Sequence, residues 1–191
     1  MEKEIWKPGA MLNPVPAVMV SCGDIAGQKN IITIAWAGTV CTIPPMLSIS
    51  IRKQRHSYGI IKESGKFVVN LVPQSLVRAA DWCGVKSGRD FNKFKETGLT
   101  PAKAATSSCP IIYECPVNIE CTVDRIIELG SHDMFLSRID SVSVDSSLID
   151  SATGALNLEK AHLAAYCHGE YLALGNQIGK FGFSVRKKKK Q

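Results

Sequence analysis

No C-x-x-C pair occurs in this sequence, so neither a zinc ribbon nor a thioredoxin-type dithiol is encoded. It also lacks G-x-G-x-x-G and G-x-x-x-x-G-K-[ST], which excludes the Rossmann fingerprint and the P-loop as ways of holding phosphate. G-x-S-x-G and H-E-x-x-H are missing too, and the four histidines (His56, His132, His162 and His168) are dispersed. Nothing therefore points to a hydrolase or a metal site, and no metal is expected. No apolar run is long enough to cross a bilayer and no signal-peptide pattern precedes Trp6. A soluble, cytoplasmic protein without a membrane partner is expected. Basic residues are also scarcer in the body than the net charge of +6 implies. Arg186, Lys187, Lys188, Lys189 and Lys190 are five of the 23 basic residues; the remaining 18 stand against 17 acidic ones, leaving +1. A nucleic-acid interface needs a basic folded face, so no nucleic-acid partner is expected.

What remains is a globular composition, 45% hydrophobic and 21% charged over 191 residues. A chain of this length buries roughly 70% of its unfolded surface, enough for a core without staples. The expected organisation is a single domain over 1–185 with a basic tail at 186–191. Cys109, Cys115 and Cys121 recur at even spacing, which in an extended chain puts them on one face as core residues.

Strand signals dominate. Val15–Cys22 reads as a strand, Gly23–Lys29 as a turn, and Asn30–Val40 as a second, β-branched strand. Leu47, Ile49 and Ile51 alternate with Ser48, Ser50 and Arg52, the pattern of a half-buried strand. Ser57 is placed to cap a helix running to Glu63 and stopped at Gly65. Lys66–Val72 reads as a strand and Ser75–Cys83 as a second short helix closed by Gly84. Val117–Leu129 and Met134–Val144 are joined by Gly130–Asp133 as a hairpin, and Leu163–Cys167 and Tyr171–Leu174 form a late pair. Strands without regular crossover helices predict a mainly β, closed or nearly closed barrel with a few short helices.

One stretch offers chemistry. Asn30, Thr33, Ala35 and Ala37 carry small or polar side chains that let a flat ring approach the backbone. Ser48, Ser50 and Arg52 share a polar face, Arg55 follows, and a helix start near Ser57 favours an anion. Hydroxyls, guanidiniums and a helix start meet the needs of a phosphate, hence of a phosphorylated aromatic ligand. An ordinary barrel edge with exposed Ser and Arg satisfies the same pattern.

The order of motifs resembles the flavin reductase-like, FMN-binding split-barrel family, especially its flavoredoxin and ferric-reductase branch. The carriers are P-x-P-A-x-x-V-S at Pro14–Ser21, N-x-x-T-x-A-W-A-G at Asn30–Gly38, P-P-M-L-S-I-S-I-R at Pro44–Arg52 and R-H-S-Y-x-x-I at Arg55–Ile61. F-V-V-N at Phe67–Asn70, S-G-R-D-F-x-K-F at Ser87–Phe94 and Y-E-C-P-V-x-I-E-C at Tyr113–Cys121 follow, then G-S-H-D-M-F at Gly130–Phe135 and G-E-Y-x-x-L-G at Gly169–Gly175. The resemblance implies a homodimer of Greek-key split barrels binding FMN, with FAD as the alternative. It implies that Thr33–Ala37 line the ring, with Trp36 weighed between flavin stacking and packing. Ser48, Ser50, Arg52, Arg55, Ser57 and Tyr58 would hold the phosphate and ribityl chain, Ser87, Arg89 and Lys93 would add donors, and His132 would stand beside flavin or nicotinamide. Asn70 is either a ligand contact or a sheet residue. The activity implied is hydride transfer from NADH or NADPH to flavin, with electrons passed to a small-molecule or protein acceptor. A flavoredoxin-like carrier without its own nicotinamide site, and a flavin or haem binder without turnover, are the alternatives.

Overall fold

In the computed structural model residues 1–185 are described; the expected basic tail, 186–191, lies outside the described residues. Strand β1 is Val15–Pro16 and β2 is Val18–Gly23. Along β2, Val18, Val20 and Cys22 point into one apolar cluster, and Met19 into another on the opposite face with its neighbour Ala17. A strand buried on both sides reads as a continuous apolar run, which is why Val15–Cys22 shows no alternation.

β3 (Lys29–Ile34), β4 (Ala37–Thr42) and β5 (Pro45–Ile51) follow. The expected single strand Asn30–Val40 is thus two strands broken at Ala35 and Trp36. Helix α1 (His56–Ser64) leads to β6 (Lys66–Leu71), and α2 (Val77–Val85) and α3 (Lys93–Thr97) precede the short strands β7 (Pro101–Ala102) and β8 (Ile111–Ile112). The long hairpin β9 (Val117–Glu128) and β10 (Asp133–Val144) comes next, then β11 (Ala164–Cys167) and β12 (Glu170–Ala173), both pairs as expected.

Seven strands form one antiparallel sheet in the order β3-β2-β6-β9-β10-β5-β4. Its two edges, β3 and β4, are consecutive in the chain and separated by Ala35 and Trp36 alone. So short a link requires the edges to meet, and the sheet curls into a barrel with its split there. The Ser50 amide donates to the Trp36 carbonyl at 2.9 Å across this corner. Leu47, Ile49 and Ile51 enter the interior with Phe67 and Phe135, as the alternation required. Outside the barrel, α2 and α3 cover Met19 and Ile31 with Ala80, Cys83 and Phe94. β1, β11 and β12 make a small separate sheet. Among the described residues no helix is long and apolar enough to cross a membrane.

Two local expectations change, and one left open between two readings is decided. Ser57 is the second residue of α1 rather than its cap; Arg55 takes the capping position without a side-chain bond, while Ser57 is buried. Asn70 is fully buried, donating to Met19 and Val68 carbonyls and to Ser21 Oγ, and accepting from Ile112 N and Asn118 Nδ2. Its amide is consumed in sheet bonding, so it is no ligand contact. Cys109, Cys115 and Cys121 are all buried, but only Cys121 lies in a strand, so they share no strand face.

Candidate functional site

Charge is distributed unevenly at the split. The turn after β5 brings Arg52 and Arg55, and α1 begins beside them with His56 and Ser57. Opposite stands the loop between α2 and α3, carrying Lys86, Ser87, Gly88 and Arg89, with Lys93 opening α3. Together they enclose a cavity of about 370 Å³. Among the described residues five cations line it (Arg52, Arg55, Lys86, Arg89 and Lys93), and no carboxylate does.

Lys93 is the unusual member, only 4% exposed, its Nζ donating to the Cys83 carbonyl at 2.6 Å. Burial pushes its ammonium down to about 8; partial compensation comes from Cys83, while Arg55 pushes further down. Burial together with Arg89 and Lys93 lowers His56 in the same sense. A buried ammonium with one acceptor and cationic neighbours is under-compensated, and an anion is the natural complement. Asn30 Nδ2 donates to Ser57 Oγ at 2.9 Å, tying β3 to α1 at the cavity floor. A Cβ on Gly88 would fall 2.2 Å from Asn30 Oδ1, so only glycine lets the loop approach this closely.

Arg52 and Arg55 also border a groove of about 140 Å³ that continues past Thr33, Ala35, Trp36, Ser50 and His132. Beyond it, Thr33 and Ala35 wall a hollow of about 230 Å³ with Gly84, Tyr166 and Tyr171. The His132 imidazole is held below its ordinary value by burial, with Arg52 and Arg55 adding to the effect, and its Nδ1 lies 2.8 Å from Ser131 Oγ. Cationic cavity, small groove and hollow therefore follow one another along β3. A larger cavity of about 740 Å³ lies far along the chain, between Asp150–Leu163 and Leu174–Lys180. It mixes Asp150 and Glu159 with Lys180 and gathers no convergent charge. Among the described residues no group of three or more His, Cys, Asp or Glu side chains is placed to hold a metal ion.

The model of the flavin reductase like domain matches residues 11–175. The chain belongs to the flavin reductase-like family. Flavoredoxin of Desulfovibrio vulgaris (Miyazaki F) is similar to it, 30% identical with a TM-score of 0.89, covering 97% of this chain and 100% of that one. Flavoredoxin from Methanosarcina acetivorans shares the fold at 24% identity and a TM-score of 0.86, over the same shares of the two chains. The uncharacterised protein YddH of Escherichia coli (strain K12) is 30% identical over 188 residues, covering 92% of this chain and 95% of that one.

In this flavin reductase-like chain the cavity and groove gather Asn30, Thr33, Ala35, Trp36, Ser50, Arg52, Arg55, Ser57, Ser87, Arg89, Lys93 and His132. The Thr33 hydroxyl donates to the Ala80 carbonyl, so its donor is already spent. Trp36 is 38% exposed at the corner between two edge strands and walls the groove instead of entering the core. Three expected residues lie elsewhere. Ala37 packs against the barrel interior at the start of β4. Ser48 is half-buried on β5, two residues before the groove-lining Ser50, and lines neither space. Tyr58 turns away from the cavity toward Asp133 and Phe135. Sequence reasoning missed Gln54, His56, Lys86 and Gly88 in the cavity wall. His56 and Gly88 stand inside the quoted R-H-S-Y and S-G-R-D motifs, which was the available signal.

Proposed function

We propose that this chain binds FMN and works as a homodimeric NAD(P)H-dependent flavin or ferric reductase, passing electrons to a soluble acceptor. The observation that carries the reading is the cavity with, among the described residues, five cations and no carboxylate, sharing Arg52 and Arg55 with a groove along β3. A phosphomonoester brings a charge of about −1.5 to −2 and three acceptor oxygens, matching the donor set. FAD, whose phosphates are diesters, would bring less charge per phosphate to the same donors. Exposed apolar side chains on and beside edge strand β4, Val40 and Ile43, support a partner copy covering that edge.

When bound, FMN would supply the two-electron redox chemistry that links a hydride donor to the acceptor. The chain supplies position and electrostatics. Lys93, Arg52 and Arg55 hold the phosphate, and Ser57 and Ser87 offer hydroxyls beside them. Ala35 and the bent backbone at Trp36 leave space for a flat ring against β3. His132, its imidazole held below the ordinary value by burial and by Arg52 and Arg55, edges the groove.

The test replaces Arg52 and Ser57 together by Ala and titrates FMN by fluorescence. Each charged hydrogen bond lost should weaken binding by about 1.5–3 kcal/mol. Unchanged affinity overturns the assignment. The likeness to Desulfovibrio vulgaris flavoredoxin favours a second reading, an electron carrier without its own nicotinamide site. Stopped-flow mixing of the FMN-loaded protein with NADH and NADPH separates the two, because a carrier bleaches slowly or not at all.

A further inference from the structure

Three residues around the candidate site are each followed by a residue that lines neither cavity nor groove. Lys53 follows Arg52, Tyr58 follows Ser57, and Asp133 follows His132. These three followers meet. Tyr58 Oη donates to Asp133 Oδ2 at 2.7 Å, and Lys53 Nζ lies 3.5 Å from the same oxygen and 3.4 Å from Glu128 Oε2. The Asp133 side chain is wholly buried, and the Tyr58 ring meets Phe135 edge-on with centroids 5.4 Å apart.

We infer that Lys53, Tyr58 and Asp133 form a clasp, hubbed on Asp133, that holds Arg52, Ser57 and His132 in one register around the ligand. Each member belongs to a different segment: the turn after β5, helix α1, and the start of β10. Helix α1 has no side-chain cap, and on the cavity side its first turn is tied through the Asn30–Ser57 bond. The phenol–carboxylate bond fixes it from outside, and a charge-assisted bond of this kind is stronger than a neutral one. Backbone bonds relay the position onward, from Tyr58 N to the Arg55 carbonyl and from Arg55 N to the Arg52 carbonyl, each at 3.0 Å. On the hairpin, Leu129, Gly130 and Ser131 are exposed, leaving Asp133 as the buried anchor beside His132. Asp133 is a positioning residue here, since it reaches the ligand only through its neighbours. The ligand rests on the FMN reading; the clasp itself does not.

Tyr58→Phe keeps the ring against Phe135 and deletes the hydroxyl alone. In flavin-free protein, NMR of the histidine Cε1 groups should show the His132 signal shifted and its titration midpoint raised toward the ordinary histidine value. His162 and His168 should not move. FMN affinity should fall roughly five- to tenfold, the worth of one hydrogen bond. Lys53→Met, at a half-exposed position, should give a smaller change of the same pattern, and it carries the same readouts if Tyr58→Phe does not fold. A variant that melts earlier but leaves the His132 signal, its titration and FMN affinity as in the wild type overturns the clasp. If the wild type binds no FMN, the flavin reading falls while the His132 comparison still decides this one.

Discussion

Glu120 and Lys93 each bury a charge, and the two surroundings treat that charge in opposite ways. Glu120, on β9 and 0% exposed, receives the Ala105 amide at 2.7 Å, the Thr106 amide at 2.8 Å and the Thr106 hydroxyl at 2.7 Å. Its carboxylate is saturated from within the chain and pins the loop before β8. Among the described residues Lys93, with three donors, finds a single acceptor, the Cys83 carbonyl, and its charged neighbours in the cavity wall share its sign. Burying a charge is tolerable when partners replace the lost water. The Glu120 region meets that condition alone, whereas the Lys93 region meets it only when something from outside brings negative charge. A saturated buried charge marks structure, and an unsaturated one beside an open cavity marks a place for a ligand.

The largest effect that sharpens this contrast is on Glu120. Glu120→Gln turns one acceptor oxygen into a donor facing a donor, which strands buried N–H groups. We expect a loss of about 3 kcal/mol in folding stability, read as a lower urea midpoint, with FMN affinity of the folded protein unchanged. A loss below about 0.5 kcal/mol, the scale of an ordinary surface substitution, would break the comparison.

Lys93→Met should do the reverse. Removing an under-compensated ammonium should leave the flavin-free protein as stable as the wild type or more so, by thermal melting at pH 7. FMN binding should weaken by about 1.5–3 kcal/mol, a ten- to hundredfold rise in Kd. A variant that loses stability while keeping its affinity would make Lys93 structural, as Glu120 is.

The barrel strands were legible because their periodicity is local. Leu47, Ile49 and Ile51 alternate cleanly with polar neighbours, and the β9–β10 hairpin announces itself through Gly130 and Ser131. The break at Ala35–Trp36 was not legible, because it follows from closing a sheet whose edges lie far apart in strand order. Helix α3 and strands β7 and β8 were too short to show a period. The halves of the cavity, Arg52–Ser57 and Lys86–Lys93, are distant in sequence and carry ordinary surface residue types. Only their meeting, and the burial of Lys93 within it, distinguishes them from a solvated loop. The resemblance of motifs singled out Ser87, Arg89 and Lys93, yet it also drew in Tyr58, whose hydroxyl serves Asp133.

The smallest effect is on pH dependence, and its sign follows from Lys93. Its ammonium lies near 8 in the folded, flavin-free protein, against an ordinary value of 10.5. Below pH 8 the group is charged in folded and unfolded chains alike, and the full burial penalty is present. Between 8 and 10.5 the unfolded chain binds more protons than the folded one, so this residue's contribution to stability rises with pH. Binding runs the other way. A bound phosphate dianion favours the charged ammonium and raises its value, so affinity is constant just above neutrality and declines once the free protein loses the proton. Fluorescence titrations of FMN from pH 7 to about 9.5 should show Kd bending upward near pH 8, by at most tenfold per unit. Burial and cationic neighbours hold His56 and His132 below their ordinary value, so neither produces a bend near pH 8. The Lys93→Met protein should give a flat line over the same range. A wild-type profile equally flat would mean that the ammonium does not face the phosphate, and the contrast with Glu120 would then be one of hydrogen-bond count alone.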